Sequence, residues 1–305
     1  MWGLSLLAII GLVIWAGVIL WGVLTIAYIS THPPRYRTDS NPAAFDAQYE
    51  EVLFPSRDGV MLSGWLVPAE NPKGAIVLCH GMNSHRGDML NWAAPLWRAG
   101  FTLLLFDFRA FGKSEGDLST AGFLEQGDVQ GAVDYFQSRP ELATLSVGVF
   151  GFSMGGATAI LTTAKDLRIV ACATLGAYAT VEGAMLQRCK RHFGRLARPA
   201  QWSMMLLGRW LGWFYVEPEE ITPVSSASQI APRPCLLLHG TEDRIVPSHH
   251  AHDVAVAIGD SAEIRYLPNS SHSKLDPQSR EVAQHTLTEF FIKALEQPSS
   301  KPETK

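Results

Sequence analysis

Six short stretches, GAIVLCHG, FTLLLFDF, SVGVFGF, IVACATL, PCLLLHG and AEIRYLP, are rich in β-branched and large apolar residues. A strand with one wet face alternates apolar and polar residues, whereas runs as continuous as IVACATL need cover on both sides. Helical patterns separate them: DMLNWAAPLWRAG, LEQGDVQGAVDYFQSR, GGATAILTTAKD, HAHDVAVAIG and the closing SREVAQHTLTEFFIKALEQ. This alternation predicts an α/β fold with a mostly parallel central sheet and helices on both faces. YEEVLF and VMLSGWLVP flank the turn SRDG and predict an opening hairpin.

In an open α/β sheet the reactive groups sit on loops beyond the carboxyl ends of the strands. Ser153 follows one strand-like run inside GFSMGG, where small residues on either side permit an abrupt strand-to-helix turn that exposes the serine. Asp243 follows PCLLLHG within TEDRIVP, and His272 follows AEIRYLP within NSSHSKL. A serine needs a base, and the base needs a carboxylate to hold its tautomer. Ser153, Asp243 and His272 stand in the order that such chemistry takes on an α/β-hydrolase sheet. Glu242 is the alternative acid. The backbone N–H groups of Met154, directly after the serine, and of Met82, after HG, are the expected oxyanion donors. His80 reads as a brace for that loop. His249, His250, His252 and His285 read as surface or packing residues, and Asp260 lies on the wrong edge.

The motifs LCHGMNSHRGDM, DFRAFGKSEGD, GFSMGG, PCLLLHGTEDRIVP and NSSHSK together resemble the α/β-hydrolase superfamily. The type is that of bacterial serine hydrolases related to prolyl-oligopeptidase-like and membrane-anchored acylhydrolase proteins. The resemblance covers Tyr49 to the last helix. It implies hydrolysis through an acyl-enzyme with no metal or organic cofactor. It also implies that the loop from Asp107 to Gly116 shapes the floor of the site without reacting.

From Trp2 to Thr31 the chain has no Asp, Glu, Lys, Arg or His, and the first formal charge is Arg35. A helix over about 25 such residues spans ~37 Å, enough for a bilayer core. Residues 1–31 are therefore expected to be a single transmembrane anchor, with Trp2, Trp15, Trp21 and Tyr28 as interfacial residues. The charged start and small-residue cleavage site of a signal peptide are missing. Arg35 and Arg37 follow the span, which favours a cytoplasmic catalytic domain. Residues 32–48 read as a linker, 49–297 as the α/β-hydrolase domain and 298–305 as a polar tail. Cys79, Cys172 and Cys235 fall in strand-like runs and read as buried free thiols, with no metal spacing among the four cysteines. A net charge of −4 offers nothing to nucleic acid.

Between Ala177 and Ile230 the strands stop, and residues 178–229 are expected to form a small helical cap over the site. Its basic part carries Arg188, Lys190, Arg191, Arg195 and Arg198. Its apolar part carries Trp202, Met204, Met205, Leu206, Leu207, Trp210, Leu211, Trp213 and Phe214. The apolar part suits an acyl pocket, a rest on lipid headgroups beside the anchor, or a plain cap core. The expected activity is cleavage of a small acyl ester, a thioester or a lipid-like substrate. A serine peptidase is the second enzyme reading, and a catalytically silent membrane scaffold is the reading from another class.

Overall fold

The computed structural model describes residues 6–213 and 221–296. A long helix, α1 (Leu6–Thr31), comes first, and the hairpin β1 (Glu50–Pro55) and β2 (Met61–Val67) opens the sheet. The core then alternates: β3 (Ala75–Cys79), α2 (Leu90–Arg98), β4 (Thr102–Phe106), α3 (Glu125–Ser138), β5 (Val147–Phe152), α4 (Met154–Lys165) and β6 (Ile169–Leu175). Helices α5 (Val181–Phe193), α6 (Ala197–Trp210) and the single turn α7 (Pro223–Ser226) follow. The chain closes with β7 (Cys235–Gly240), α8 (His249–Ile258), β8 (Ala262–Leu267) and α9 (Pro277–Leu295).

Among the described residues the strands form one eight-stranded sheet, ordered β1-β2-β4-β3-β5-β6-β7-β8. β2 pairs antiparallel with β1 and β4, and the pairs from β4 to β8 are parallel. This is the α/β-hydrolase fold. The continuous apolar strands are explained by their two covered faces. Val77, Leu104 and Val149 pack on one side with α3, α4 and α8, through Phe136, Ile160 and Val254. Ile76, Leu103 and Phe150 pack on the other with α2 and α9, through Trp92, Leu96, Leu287 and Phe291. Each strand from β2 to β8 feeds both cores because successive side chains point to opposite faces, whereas the edge strand β1 buries only Val52 and Phe54. The edge strand β8 is half exposed, which accounts for Glu263 and Arg265 within its run. All four cysteines are free and buried.

Helix α1 has 26 residues, a length of about 39 Å. Its upstream part is exposed and wholly apolar, whereas Val23, Ile26 and Ala27 are buried. Those three pack against Cys189 of α5 and Ala197, Ala200 and Met204 of α6. The small residues Ala27, Ala197 and Ala200 let the backbones approach. The stretch read as a linker is docked as well. Arg35 donates to the carbonyls of Ser114 and Gly116, and Phe45 is buried against Trp97.

Helix α6 divides the apolar residues that the sequence places together. Ala197, Ala200, Gln201, Met204 and Gly208 are buried. Trp202, Leu206 and Trp210, spaced four apart and so on one helical face, are 80%, 65% and 81% exposed. Phe214 lies outside the described residues. The expectation of a single apolar cluster is thus replaced by two faces of one amphipathic helix. Periodicity along α6 carries that division, and composition alone hides it.

Candidate active site

Strand β5 ends at Phe152 and α4 begins at Met154, so the chain turns at one residue. That residue is Ser153, with φ 53° and ψ −114°. A side chain held there costs ~1–3 kcal/mol and persists only where its surroundings impose it. Two glycines make the turn possible. A Cβ on Gly151 would lie 2.2 Å from the Gly155 carbonyl oxygen, and one on Gly155 would lie 2.3 Å from that of Cys79. The Ser153 amide donates to the Leu175 carbonyl at 2.8 Å, which ties the turn to β6.

The Ser153 Oγ lies 2.8 Å from His272 Nε2. On the far side of the ring, His272 Nδ1 lies 2.6 Å from Asp243 Oδ2. A carboxylate only accepts, so Nδ1 carries the proton and Nε2 accepts from the serine hydroxyl. Asp243 sits in the loop after β7, where its Oδ1 accepts the Ile245 and Val246 amides at 2.9 and 2.8 Å. Burial opposes its charge. Hydrogen bonds from His239, His272 and the Val246 amide outweigh burial and hold the carboxyl well below the usual range. Glu242, the alternative acid, is exposed to solvent.

His80 is wholly buried. Its Nδ1 donates to the Gly81 carbonyl at 2.7 Å, and its Nε2 accepts the Phe108 amide at 3.0 Å. Burial lowers its pKa, so the ring is a neutral strut between the loops after β3 and β4. Gly81 comes close to the serine: a Cβ there would meet Phe152 at 2.9 Å and the Ser153 Cβ at 3.4 Å. No acceptor among the described residues takes the Met82 or Met154 amide. Asp107 fixes the next loop by accepting the Arg86 and Lys113 amides at 2.8 and 3.0 Å. Arg109 is locked between Asp128 and Asp58, at 2.7 and 2.6 Å.

Above these loops lies a cavity of about 400 Å³. Ser153, His272, Met82 and Met154 line its floor; α5 and α6 supply Val181, Met185, Arg188, Met204 and Met205; Trp213 closes one side. Ser30 and Thr31, the end of α1, also line it.

The sequence model of the Hydrolase_4 family, described as serine aminopeptidase, S33, matches residues 70–229, more than half of the chain. The chain belongs to that family. It is thereby a member of the α/β-hydrolase superfamily. YfhR, an uncharacterized protein of Escherichia coli, is 25% identical over 260 residues, covering 81% of each chain. The thiohydrolase aneE of Aspergillus aculeatus is 34% identical over 126 residues, 40% of this chain and 39% of its own. Among solved structures, the Pyrococcus furiosus esterase Pf2001 superposes with a TM-score of 0.73 at 20% identity, covering 87% of this chain and 98% of its own.

In this α/β-hydrolase, then, Ser153, Asp243 and His272 come together, and Met82 and Met154 flank the serine. His250 is buried at the root of α5, where its Nδ1 accepts the Ala179 amide at 3.2 Å, and His252 and His285 are exposed. Several contributors escaped the reading of the sequence. Glu125 is wholly buried, and it holds the cavity loop by accepting from Ser119 Oγ, Thr120 N, Thr120 Oγ1 and Gly122 N at 2.7–2.8 Å. Ser30 and Thr31 reach the cavity because the end of α1 is docked. Arg188, read as part of a basic stretch, shares a helical face with Val181, Ala184 and Met185. Spacing along α5 was the available signal.

Proposed function

We propose that this α/β-hydrolase is a serine hydrolase that cleaves carboxylic esters or thioesters through an acyl-enzyme. The hydrogen-bonded chain from Ser153 through His272 to Asp243, at the floor of an apolar cavity, carries this reading. Ser153 Oγ attacks the acyl carbon as His272 Nε2 takes its proton, and Asp243 steadies the resulting imidazolium. The Met82 and Met154 amides receive the oxyanion. His272 then protonates the leaving group, and water enters by the reverse path to release the acid. The thiohydrolase and esterase names among similar proteins support this chemistry.

The family description favours a second reading, aminopeptidase activity. That chemistry recognises a cationic amino terminus. The cavity wall instead carries Arg188 and Arg191, with Glu182 as the one carboxylate among the described residues that line it. The charge balance supports esters.

In the same proposal α1 anchors residues 32–296 to a membrane as one single-pass helix, with residues 178–229 as the cap. The apolar exposed part of α1 supports this. The burial of Val23, Ile26 and Ala27 against α5 and α6 argues for a retained helix, since a cleaved leader would leave that surface bare. Arg35 and Arg37 favour the cytoplasmic side.

A fluorophosphonate probe tests the nucleophile: it should label the protein, and Ser153→Ala should remove the label with the fold intact. A matched panel of esters, thioesters and aminoacyl amides then separates the readings. Faster turnover of the amides would overturn the esterase assignment.

A further inference from the structure

The cavity over Ser153 is lined largely by apolar and methionine side chains, yet a guanidinium projects into it. Arg188 lies on the inward face of α5. Its Nη1 sits 3.8 Å from the Met82 sulfur, and no carboxylate among the described residues pairs with it. An arginine at such a place is ordinarily matched by an acid, because an unpaired charge in an apolar site is costly. A second cation aggravates the cost. Arg191, three residues on along the same helical face, also lines the cavity, at its exposed rim. Like charges at that spacing repel. Among the described lining residues the site therefore sets two arginines, one inside and one at the mouth, against one exposed carboxylate, Glu182, that pairs with neither, an arrangement that an incoming anion relieves.

We infer that the substrate is an anionic ester, one whose acyl chain ends in a carboxylate or a phosphate received by Arg188 and steered in by Arg191. This rests on the proposed hydrolase site and names what that site selects. The position of the anion follows from the contacts. Arg188 touches the end of the Met82 side chain, and the Met82 backbone borders the serine. The charged group thus lies about one methionine side chain away from the ester carbonyl, a separation of a few bonds. The guanidinium fork matches two oxygens of a carboxylate or a phosphate. The apolar walls supplied by Met185, Met204 and Met205 cover the chain between the two ends.

The test compares 4-nitrophenyl hexanoate with the mono-4-nitrophenyl ester of adipate, which has the same six-carbon acyl chain ended by a carboxylate. The adipate ester should have the higher kcat/KM by about tenfold, the value of one well-placed charged hydrogen bond. Arg188→Met should erase that ratio, chiefly through KM, and Arg188→Lys should restore part of it. Lys190→Met, which changes an exposed neighbour on the outer face, should leave the ratio as it was. Equal use of the two esters by the wild-type protein, or a ratio unmoved in Arg188→Met, overturns the inference. Should neither ester turn over, the hydrolase reading fails, and binding still decides this one. Calorimetry of adipate with Ser153→Ala, with and without Arg188→Met, should show affinity lost with the arginine; no affinity in Ser153→Ala overturns the inference. A 6-phosphohexanoate ester distinguishes the two anions. If it exceeds the adipate ester and loses more in Arg191→Met, the substrate is phosphorylated. The opposite order assigns a dicarboxylic half-ester.

Discussion

The loops at the carboxyl edge of the sheet and the helices above them enclose one cavity by opposite means. Below, three buried polar side chains are each fixed by two or more directed bonds: Asp243 by two amides and an imidazole, His80 by a carbonyl and an amide, and Glu125 by four donors. Above, α1, α5 and α6 are joined by a small apolar cluster centred on Ala27, Cys189, Ala200 and Met204. Directed bonds fix an atom to within a fraction of an ångström. Methionine-rich packing tolerates several shapes. The difference assigns position to the groups proposed to react and adaptability to the walls that meet the substrate.

The comparison breaks most visibly at Asp243. Asp243→Asn keeps an oxygen for the Ile245 and Val246 amides, so the loop survives, but its amide nitrogen now donates towards His272. The ring is driven to the wrong tautomer, and kcat should fall about 10³–10⁴-fold. Glu242→Gln, one residue away, should stay within about twofold. Comparable losses in the two variants would end the assignment.

Glycines probe the two regions next. Gly155→Ala sets a Cβ 2.3 Å from the Cys79 carbonyl and 2.5 Å from that of His80, so the elbow must move. About 3 kcal/mol or more should be lost, seen as a Tm decrease of about 6–12 °C. Gly194→Ala, between α5 and α6, meets nothing within 4 Å and bears only the cost of its φ of 52°. Its ψ of −116° puts it in the backbone region that Ser153 occupies, so about 1–2 kcal/mol is expected there. An equal loss at the two positions would contradict the difference in rigidity.

A proton tests the seam between the regions. Burial, and then the neighbouring His249, pushes the His250 pKa down to about 4, against about 6.5 in an unfolded chain. The unfolded state therefore takes up the proton first. The stability contributed by neutral His250 is full above pH 6.5 and declines as the pH falls towards 4, by about 1.4 kcal/mol per pH unit. His250→Asn retains an acceptor for the Ala179 amide and should flatten this part of the Tm–pH curve. An unchanged slope would mean that His250 does not titrate with unfolding.

The smallest effect lies in the upper wall. Trp213 lines the cavity and Trp210 does not. Trp213→Ala should weaken any preference for longer acyl esters severalfold, at ~0.8 kcal/mol per buried CH₂, while Trp210→Ala leaves it alone. A flat chain-length profile in the wild-type protein would remove the acyl wall altogether.

These two regions also differ in how far they can be read from residues alone. The elbow is legible because its rule is local: a strand, a serine between glycines, and a helix occupy a few consecutive positions. Asp243 and His272 follow because each lies directly after an apolar run. Glu125 and Asp128 escape notice because a carboxylate in the first turn of a helix looks like a surface residue; Glu125 instead folds back on Ser119, Thr120 and Gly122 just upstream, and Asp128 meets Arg109 on another loop. Arg188 is hidden differently. Its stretch, QRCKRHFGR, contains cations on every face, so composition does not single it out, and only its spacing from Val181, Ala184 and Met185 marks it as inward. The docking of α1 itself has no marker in its composition, since its buried residues are as apolar as its exposed ones.

That docking bears on how the enzyme can be handled. The obvious way to obtain a preparation without the exposed apolar helix is to begin the chain after Thr31, the last residue of α1. Such a fragment would lack Ser30 and Thr31 at the cavity and the contacts of Val23, Ile26 and Ala27 with the helices over it. Its floor would be intact, and probes that need only the serine would still report it as active. Its preference among substrates would belong to a different, wider opening. A preparation that begins near Gly22 keeps about the last three turns of the helix and omits most of the exposed apolar length. For this chain, the boundary between the exposed apolar segment and the part packed on the hydrolase fold lies inside a single helix.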